Sequence, residues 1–270
     1  MEPNRVKALR GWGWIVDSYR LFQKNPLIWL SLVFIFWMLL MVSNLVQVVG
    51  PMLMTLLTPA FLAGLMLGCR ALEQDKELEI AYVFAGFKQN VGNLITLGGI
   101  NLTATVLIIG MSSFFDGGTF LKMVFFGEMP PGTKDAANLA LGPGTELAVL
   151  FTAALSLPLM MAYWFSPSLI VFHGMPAVQA MKSSFYACLR NFMPFFVYSL
   201  ALTAIMLGGM MLLGMVMGLL GAIFGQTNIL LAALLAVILF PLLLVFLSIM
   251  IGTIYTSYRD IFSWEENVEG

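Results

Sequence analysis

The 270-residue sequence has few charged residues, few cysteines and a single histidine, and each shortage excludes a class of protein. Charged residues make up 10% of the chain and hydrophobic residues 60%, whereas soluble domains average about 25% and about 45–50%. Two cysteines and one histidine supply neither a disulfide scaffold nor a Cys/His zinc module. Thirteen basic and fourteen acidic residues nearly cancel, so no strong field attracts nucleic acid. We therefore expect an integral membrane protein with no nucleic-acid partner, metal or cofactor.

Four long stretches contain no Asp, Glu, Lys or Arg, namely 25–69, 89–115, 147–181 and 191–258. A helix needs about 20 mostly apolar residues to cross about 30 Å of hydrocarbon. The first and last stretches are long enough for two spans each, with a break predicted at Gly50-Pro51 in the first. We predict a single all-α membrane domain over 1–270, a polytopic bundle of six transmembrane helices. The predicted spans lie near 27–49, 52–70, 91–112, 146–172, 194–221 and 229–256.

The basic residues are distributed unevenly between the two sides of the predicted bundle. Lys122 and Lys134 lie on one side, and all the others of the thirteen lie on the opposite side. Short cytoplasmic loops are enriched in Lys and Arg, so both termini are predicted to be cytoplasmic. The segment 113–145 is then the external loop, and its apolar run at 120–126 is expected to cap the bundle.

A short pattern recurs before each odd-numbered span. The segments 19–25, 84–90 and 185–191 each end in a basic or polar residue followed by an asparagine, which we interpret as an anchor at the span entry. These anchors are Asn25, Asn90 and Asn191. The predicted unit is an interfacial helix followed by two spans, and it occurs three times as parallel repeats. The interfacial helices are predicted near 5–24, 76–89 and 176–190.

The first of these interfacial helices is amphipathic. Its residues Leu9, Trp12, Val16, Tyr19 and Phe22 recur at spacings of three and four, which places them on one face. Such a helix can lie in the headgroup region with its basic side towards anionic lipid, although the pattern equally suits a helix that only starts a span. The basic residues predicted to face headgroups or a partner are Arg10, Arg20, Lys24, Lys88, Lys182 and Arg190.

Side chains suited to catalysis are scarce in the sequence. His173 is the one histidine, at the end of the fourth predicted span. A histidine at a helix end is more often a hydrogen-bonded structural residue than a catalytic one. The sequence contains no H-E-x-x-H motif, no carboxylate pair inside a span and no glycine-rich phosphate loop. We therefore predict no catalytic residue and no enzymatic activity.

Glycine pairs four residues apart predict sites where helices approach each other closely. These pairs are Gly64 and Gly68, Gly214 and Gly218, and Gly221 and Gly225. The contacts are expected within the chain or between copies of it, so the spacing leaves the oligomeric state open.

Transport is the alternative to a purely associative role. Ion-coupled carriers usually place an ionisable residue inside the membrane, and the interiors of the predicted spans contain no Asp, Glu, Lys or Arg, since Arg70, Asp116 and Glu146 lie at span ends. Uncharged polar residues occur in the first and third spans, at Ser43, Asn44, Gln47, Asn93, Thr96, Asn101, Thr103 and Thr105. They either line a polar path or form hydrogen bonds between helices, and we favour the second interpretation.

Three stretches resemble an uncharacterised family of six-span inner-membrane proteins of Gram-negative bacteria. They are LMLGCRALE at 65–73, SSFYACLRNFMPF at 183–195 and YTSYRDIF at 255–262. A more distant resemblance to the YciC-type proteins rests on the repeat pattern. The resemblance implies an all-helical, multi-pass protein of the bacterial inner membrane, and it brings no active-site residues.

Together these features predict a non-enzymatic inner-membrane protein with both termini in the cytoplasm. We expect it to act through association with membrane lipids, or with another envelope protein, at the cytoplasmic face. The alternative is a small permease or channel for a neutral or lipidic solute.

Overall fold

The computed structural model describes residues 2–128, 142–224 and 229–262, with side chains over these ranges except 222–236. Within them every regular element is a helix, which confirms the predicted all-α class. The α-helices are α1 (Arg10–Lys24), α2 (Pro26–Ser43), α3 (Val49–Glu73), α4 (Val91–Asp116), α5 (Thr119–Phe126), α6 (Pro143–Trp164), α7 (Ser166–His173), α8 (Ala177–Arg190), α9 (Phe192–Phe224) and α10 (Ile229–Ile261). A 3₁₀ helix, Ile80–Lys88, lies between α3 and α4.

Six segments are long and apolar enough to cross a membrane, which confirms the predicted number of spans. They are Pro26–Ser43, Val49–Glu73, Val91–Asp116, Pro143–His173, Phe192–Gly221 and Val237–Ile261. The fourth contains both α6 and α7. Helix α2 is apolar on all sides and buries Trp29, Leu32 and Val33, as expected for a helix largely surrounded by lipid.

The turn between α2 and α3 begins earlier than the predicted break. Helix α2 ends at Ser43, where Ser43 Oγ and Asn44 Nδ2 both donate to the Leu40 carbonyl oxygen at 2.7 Å. Such local bonds compete with the continuing helix. Val48 then adopts a left-handed backbone with φ of 65°. A Cβ at Gly50 would overlap the Ser43 carbonyl oxygen, so this turn requires glycine.

The segments flanking α4 differ in detail from the predicted interfacial helix and loop. The helix Ile80–Lys88 is 3₁₀, and its buried residues Val83 and Gly86 are three apart, which matches the 3₁₀ period. Helix α5 occupies part of the predicted external loop, because Asp116 accepts hydrogen bonds from the Gly118 and Phe120 N–H groups at 2.9 and 2.6 Å. The loop residues 129–141 lie outside the described residues.

The chain folds into two compact units, of which the first comprises 1–35, 68–82 and the chain from 187 onward. In this unit α1 packs against α9 and α10. The buried residues of α1 are Gly11, Trp14, Ile15, Ser18, Leu21 and Phe22. They follow the spacing of one helical face. The Trp14 ring lies 5.1 Å from the Phe195 ring and 6.1 Å from the Tyr198 ring, measured between centroids.

Helix α1 also carries a second apolar stripe that stays exposed. Trp12 and Tyr19 are 50% and 45% exposed, and Leu9, which directly precedes the helix, is 78% exposed. Phe22, grouped with them in the predicted interfacial face, is instead buried at 8% exposure. The helix therefore has one apolar face for packing and another that remains uncovered.

The second unit comprises 36–67 and 83–186. Helix α4 is its centre and packs against α5, α6 and α7. Leu94 and Leu97 of α4 are fully buried, and the Phe115 and Phe151 rings meet at 5.1 Å. Backbone contact between α3 and α4 occurs at Gly98, where any Cβ would overlap the Leu56 carbonyl oxygen.

Two neighbouring glycines of α4 provide a matched test of this packing. We expect Gly98→Ala to destabilise the protein by about 1–3 kcal/mol, because a Cβ there forces α3 and α4 apart. Gly99→Ala is expected to be neutral or to stabilise by up to about 1 kcal/mol, since its Cβ meets Leu56 Cδ1 at an ordinary 3.8 Å and alanine favours helix. Thermal unfolding of both variants in detergent measures the difference. Equal stability of the two variants would contradict the described α3–α4 contact.

Candidate functional site

Four charged side chains of the first unit form a closed ring of alternating sign, here called the charge ring (Arg10, Asp17, Arg259 and Asp260). Arg10 Nη2 lies 2.9 Å from Asp17 Oδ2 and 2.6 Å from Asp260 Oδ2. Arg259 Nη2 lies 3.2 Å from the same Asp17 oxygen and 3.7 Å from Asp260 Oδ1. Arg10 and Asp17 are two helical turns apart on α1, so both face the end of α10. The ring thus joins the first and last helices of the chain.

The end of α3 extends this charge ring. Glu73 accepts hydrogen bonds from the Arg259 guanidinium and from the Tyr255 hydroxyl. Nearby, Lys24 Nζ of α1 donates to the Leu72 carbonyl oxygen at 2.8 Å and to Asp75 Oδ1 at 2.6 Å. The ends of α1, α3 and α10 are therefore held together by ion pairs and hydrogen bonds.

The charge ring lies against a buried tryptophan. Trp14 is fully buried, and its Nε1 donates to Asp260 Oδ2 at 3.0 Å while its carbonyl oxygen accepts from Thr256 Oγ1 at 3.0 Å. Burial alone would lower the pKa of Arg10, but hydrogen bonds and charge from Asp260 and Asp17 outweigh it and raise that pKa. The Arg10 guanidinium therefore stays charged, and the contacts of the ring are ion pairs.

The predicted headgroup-facing residues fall into two groups. Arg10 and Lys24 contact carboxylates of the chain itself, and their side chains are 39% and 42% exposed. Arg20, Lys88, Lys182 and Arg190 are exposed. Arg20 approaches Asp17 at 3.5 Å, and Arg190 approaches Glu2 at 3.9 Å. A headgroup role for all six stays a prediction, and the exposed group is the better placed for it.

The three asparagines lie at the junctions between a short helix and a span, but they act differently. Asn191 is buried, and its amide bonds the backbone of Asn4, Val6 and Ala187. Asn90 has a left-handed backbone, and its Nδ2 donates to the Ile170 carbonyl oxygen at 3.2 Å. Asn25 ends α1, and its carbonyl oxygen accepts the Trp29 N–H at 3.1 Å.

The predicted glycine pairs also differ. A Cβ at Gly86 would come within 3.0 Å of the Gly64 nitrogen, so the backbones approach closely there. Gly68 faces Leu78 and Tyr82, whereas Gly214 and Gly218 have open space around them among the described residues. Gly221 lies near the end of α9, and Gly225 lies outside the described residues.

Three of the eight polar residues predicted in the first and third spans donate a hydrogen bond to a backbone carbonyl one turn earlier. Ser43 and Asn44 bond the Leu40 carbonyl oxygen, and Thr96 bonds that of Gly92 at 2.8 Å. Thr105 lines a cavity of about 180 Å³ in the second unit, together with Thr55 and apolar side chains of α3, α4 and α5. In the described residues no group of three or more His, Cys, Asp or Glu is arranged to hold a metal ion.

One curated relative matches almost the whole chain. It is a probable inner membrane protein from Burkholderia thailandensis, 31% identical over 271 residues, covering 98% of this chain and 96% of the relative. This chain belongs to the same family of inner membrane proteins. Together with its six apolar helices, the match makes it a multi-pass inner-membrane protein. No protein-family model matches the sequence, and no solved structure matches it.

The charge ring was not predicted from the sequence. The sequence patterns predicted no role for its acidic members Asp17 and Asp260, or for the neighbouring Glu73. A signal was present, because the stretches 65–73 and 255–262, which carry the family resemblance, contain Glu73, Arg259 and Asp260. The contact between Arg259 and Glu73 joins residues 186 apart in the chain, so no short-range spacing in the sequence predicts it.

Arg259 offers the sharpest test of the charge ring, with Arg20 as its matched control. We expect Arg259→Gln to cost about 1–3 kcal/mol of stability, because Glu73 and Asp17 both lose a charged partner. Arg20→Gln removes a guanidinium that is 73% exposed and is expected to cost under about 1 kcal/mol. Thermal unfolding of the purified full-length variants is the measurement, and the double variant R259Q/E73Q should recover part of the loss. A loss no larger in R259Q than in R20Q would show that the ring adds little stability.

Proposed function

We propose that this inner-membrane protein acts by association and catalyses no reaction. Its exposed basic residues at the helix ends bind anionic lipid headgroups, or another envelope protein, on the cytoplasmic face. The carboxylates of the charge ring are each matched by an arginine, which supports a structural role for them over proton transfer.

Three short helices that each precede a span support lipid association. Each exposes large apolar side chains beside a cation, the combination that suits the boundary between headgroups and acyl chains. The exposed apolar residues are Trp12 and Tyr19 in α1, Ile80 and Phe84 in the 3₁₀ helix, and Val178, Tyr186 and Leu189 in α8. The exposed cations are Arg20, Lys88 and Lys182 with Arg190. Each cation near an anionic surface contributes about 1 kcal/mol.

The charge distribution supports a cytoplasmic location for both termini, because all basic residues except Lys122 and Lys134 flank the same ends of the six spans. The asparagine at each junction supports the threefold repeat of a short helix and two spans. That repeat in turn supports the distant likeness to the YciC-type proteins. These finer assignments are proposed together with the function.

Lipid association is tested with the triple variant R20Q/K88Q/K182Q, with Lys122→Gln as the control from the opposite side. The wild type and both variants are extracted in native lipid discs, and mass spectrometry measures all retained lipids, small molecules and proteins. We expect the wild type and K122Q to be enriched in anionic lipids and the triple variant to approach the bulk composition. A stoichiometric protein lost from the triple variant would identify a protein partner instead. Unchanged lipids and companions in all three samples would refute association through these residues.

A permease or channel for a neutral or lipidic solute is the second candidate. The cavity of about 180 Å³ supports it, since Thr55 and Thr105 provide hydroxyls in an otherwise apolar lining. A small molecule recovered from the same discs, and lost from Thr105→Val, would favour this function.

Orientation is tested by cysteine labelling, for which the native chain gives a low background. Both cysteines are buried, and burial raises the pKa of the Cys188 thiol to about 12. Because the thiolate is the reactive form, Cys188 stays unreactive at neutral pH. An impermeant maleimide should label Lys182→Cys in inverted vesicles only and Lys122→Cys in intact spheroplasts only, since both positions are exposed. The reverse result would contradict cytoplasmic termini.

A further inference from the structure

A cleft of about 610 Å³ lies in the first unit between the N-terminal segment and the junction of α8 and α9. Three cations line it, Arg5 and Lys7 from the N-terminal segment and Arg190 from the end of α8. The remaining lining is largely apolar, with Leu189, Phe192 and Met193 50%, 58% and 59% exposed. The cleft therefore combines positive charge with uncovered apolar surface at the start of a membrane span.

A buried asparagine builds this cleft. Asn191 Oδ1 accepts the Val6 N–H at 2.9 Å, and Asn191 Nδ2 donates to the carbonyl oxygens of Asn4 and Ala187 at 2.9 and 3.1 Å. The Asn4 N–H in turn donates to the Ile261 carbonyl oxygen at 2.7 Å. These bonds fix the N-terminal segment against the span entry, although the segment has no regular secondary structure.

The fixed segment presents its cations on the outside. Val6 is half-buried between the exposed residues Arg5 and Lys7, an alternation expected for extended chain, where residues two apart share a side. Among the described residues neither cation forms an ion pair, and Arg190 has only the distant contact with Glu2 at 3.9 Å. Among the residues that the structure describes, three positive charges thus line the cleft, and Glu2 is the one carboxylate in contact with any of them.

This combination identifies the class of ligand. Guanidinium groups bind phosphate oxygens through paired hydrogen bonds, and lysine adds a point charge. A soluble phosphate compound has no apolar part that would cover the exposed Leu189, Phe192 and Met193. A phosphate attached to acyl chains fits both halves of the lining, and the excess positive charge favours a net negative headgroup over a zwitterionic one.

We propose that this cleft binds one anionic phospholipid, which rests on the lipid association proposed above and gives it a defined site. Arg5, Lys7 and Arg190 hold the headgroup phosphate, and the acyl chains lie along Leu189, Phe192 and Met193. Asn191 is a positioning residue, because it holds the N-terminal segment in place without facing the ligand.

Native mass spectrometry of the full-length protein in detergent tests the site, with phosphatidylglycerol and phosphatidylcholine as the probes. We expect the wild type to retain one phosphatidylglycerol in preference to phosphatidylcholine. Each neutralised cation should weaken that binding about fivefold, so R5Q/K7Q/R190Q should bind about a hundredfold more weakly. Lys76→Gln, an exposed cation of the first unit outside the cleft lining, is the matched control and should bind like the wild type.

Equal binding of the two lipids, or wild-type binding by the triple variant, would overturn the proposal. Displacement of phosphatidylglycerol by millimolar glycerol 3-phosphate would reassign the cleft to a soluble phosphate compound. Loss of a stoichiometric protein companion from the triple variant, with lipid binding unchanged, would reassign it to a protein partner. Thermal unfolding of R5Q/K7Q/R190Q should match the wild type, because all three side chains are exposed.

A positioning variant adds an independent readout. Asn191→Ala keeps every cation but frees the N-terminal segment, so it should lose the selectivity for phosphatidylglycerol while Arg190 still binds both lipids weakly. Retained selectivity in a folded N191A protein would count against the cleft geometry. The residues tested for the general function, Arg20, Lys88 and Lys182, lie outside this lining. Failure of the site and failure of general lipid association are therefore distinguishable.

Discussion

The ion pairs between α1 and α10 occur where the apolar spans give way to charge. Arg259 and Asp260 directly follow the charge-free stretch 191–258, and Glu73 lies just beyond the stretch 25–69. Charged groups at such a boundary are costly when they are unpaired and partly dehydrated. The charge ring reduces this cost by matching each carboxylate with a guanidinium, so three helix ends can meet at the membrane boundary. The burial of Trp14 depends on the same arrangement, since its indole N–H bonds Asp260.

Helix α1 has two apolar surfaces with different surroundings. One apolar face is buried against α9 and α10, while Leu9, Trp12 and Tyr19 form a separate uncovered stripe. A soluble protein would replace the second stripe with polar residues. Its presence next to exposed Arg20, on a helix anchored by the charge ring, supports the lipid association proposed above.

The membrane-spanning part of the fold was predictable from the sequence, whereas most of the candidate site was not. Hydrocarbon excludes charge over about 20 residues at a time, and this constraint leaves a continuous signature that predicts six spans. The charge ring leaves no local spacing pattern, because Arg10 and Asp260 are 250 residues apart. The sequence also does not distinguish Gly98 from Gly99, although only Gly98 contacts the backbone of α3. Asn191 was predicted to anchor a span entry, but its hydrogen bonds to the N-terminal segment join residues far apart in the chain and have no pattern in the sequence.

The pairing of the first helix with the last imposes an order on synthesis and assembly. Chains fold as they emerge, and long-range contacts must wait for the later partner. The second unit ends at residue 186, so its whole sequence has been synthesised before α9 and α10 are complete. During that interval Trp14, Arg10 and Asp17 of α1 have no α10 to contact. A chain released between residues 221 and 259 would contain five complete spans but lack Arg259 and Asp260, so its N-terminal helix would have no ion-pair partner on α10.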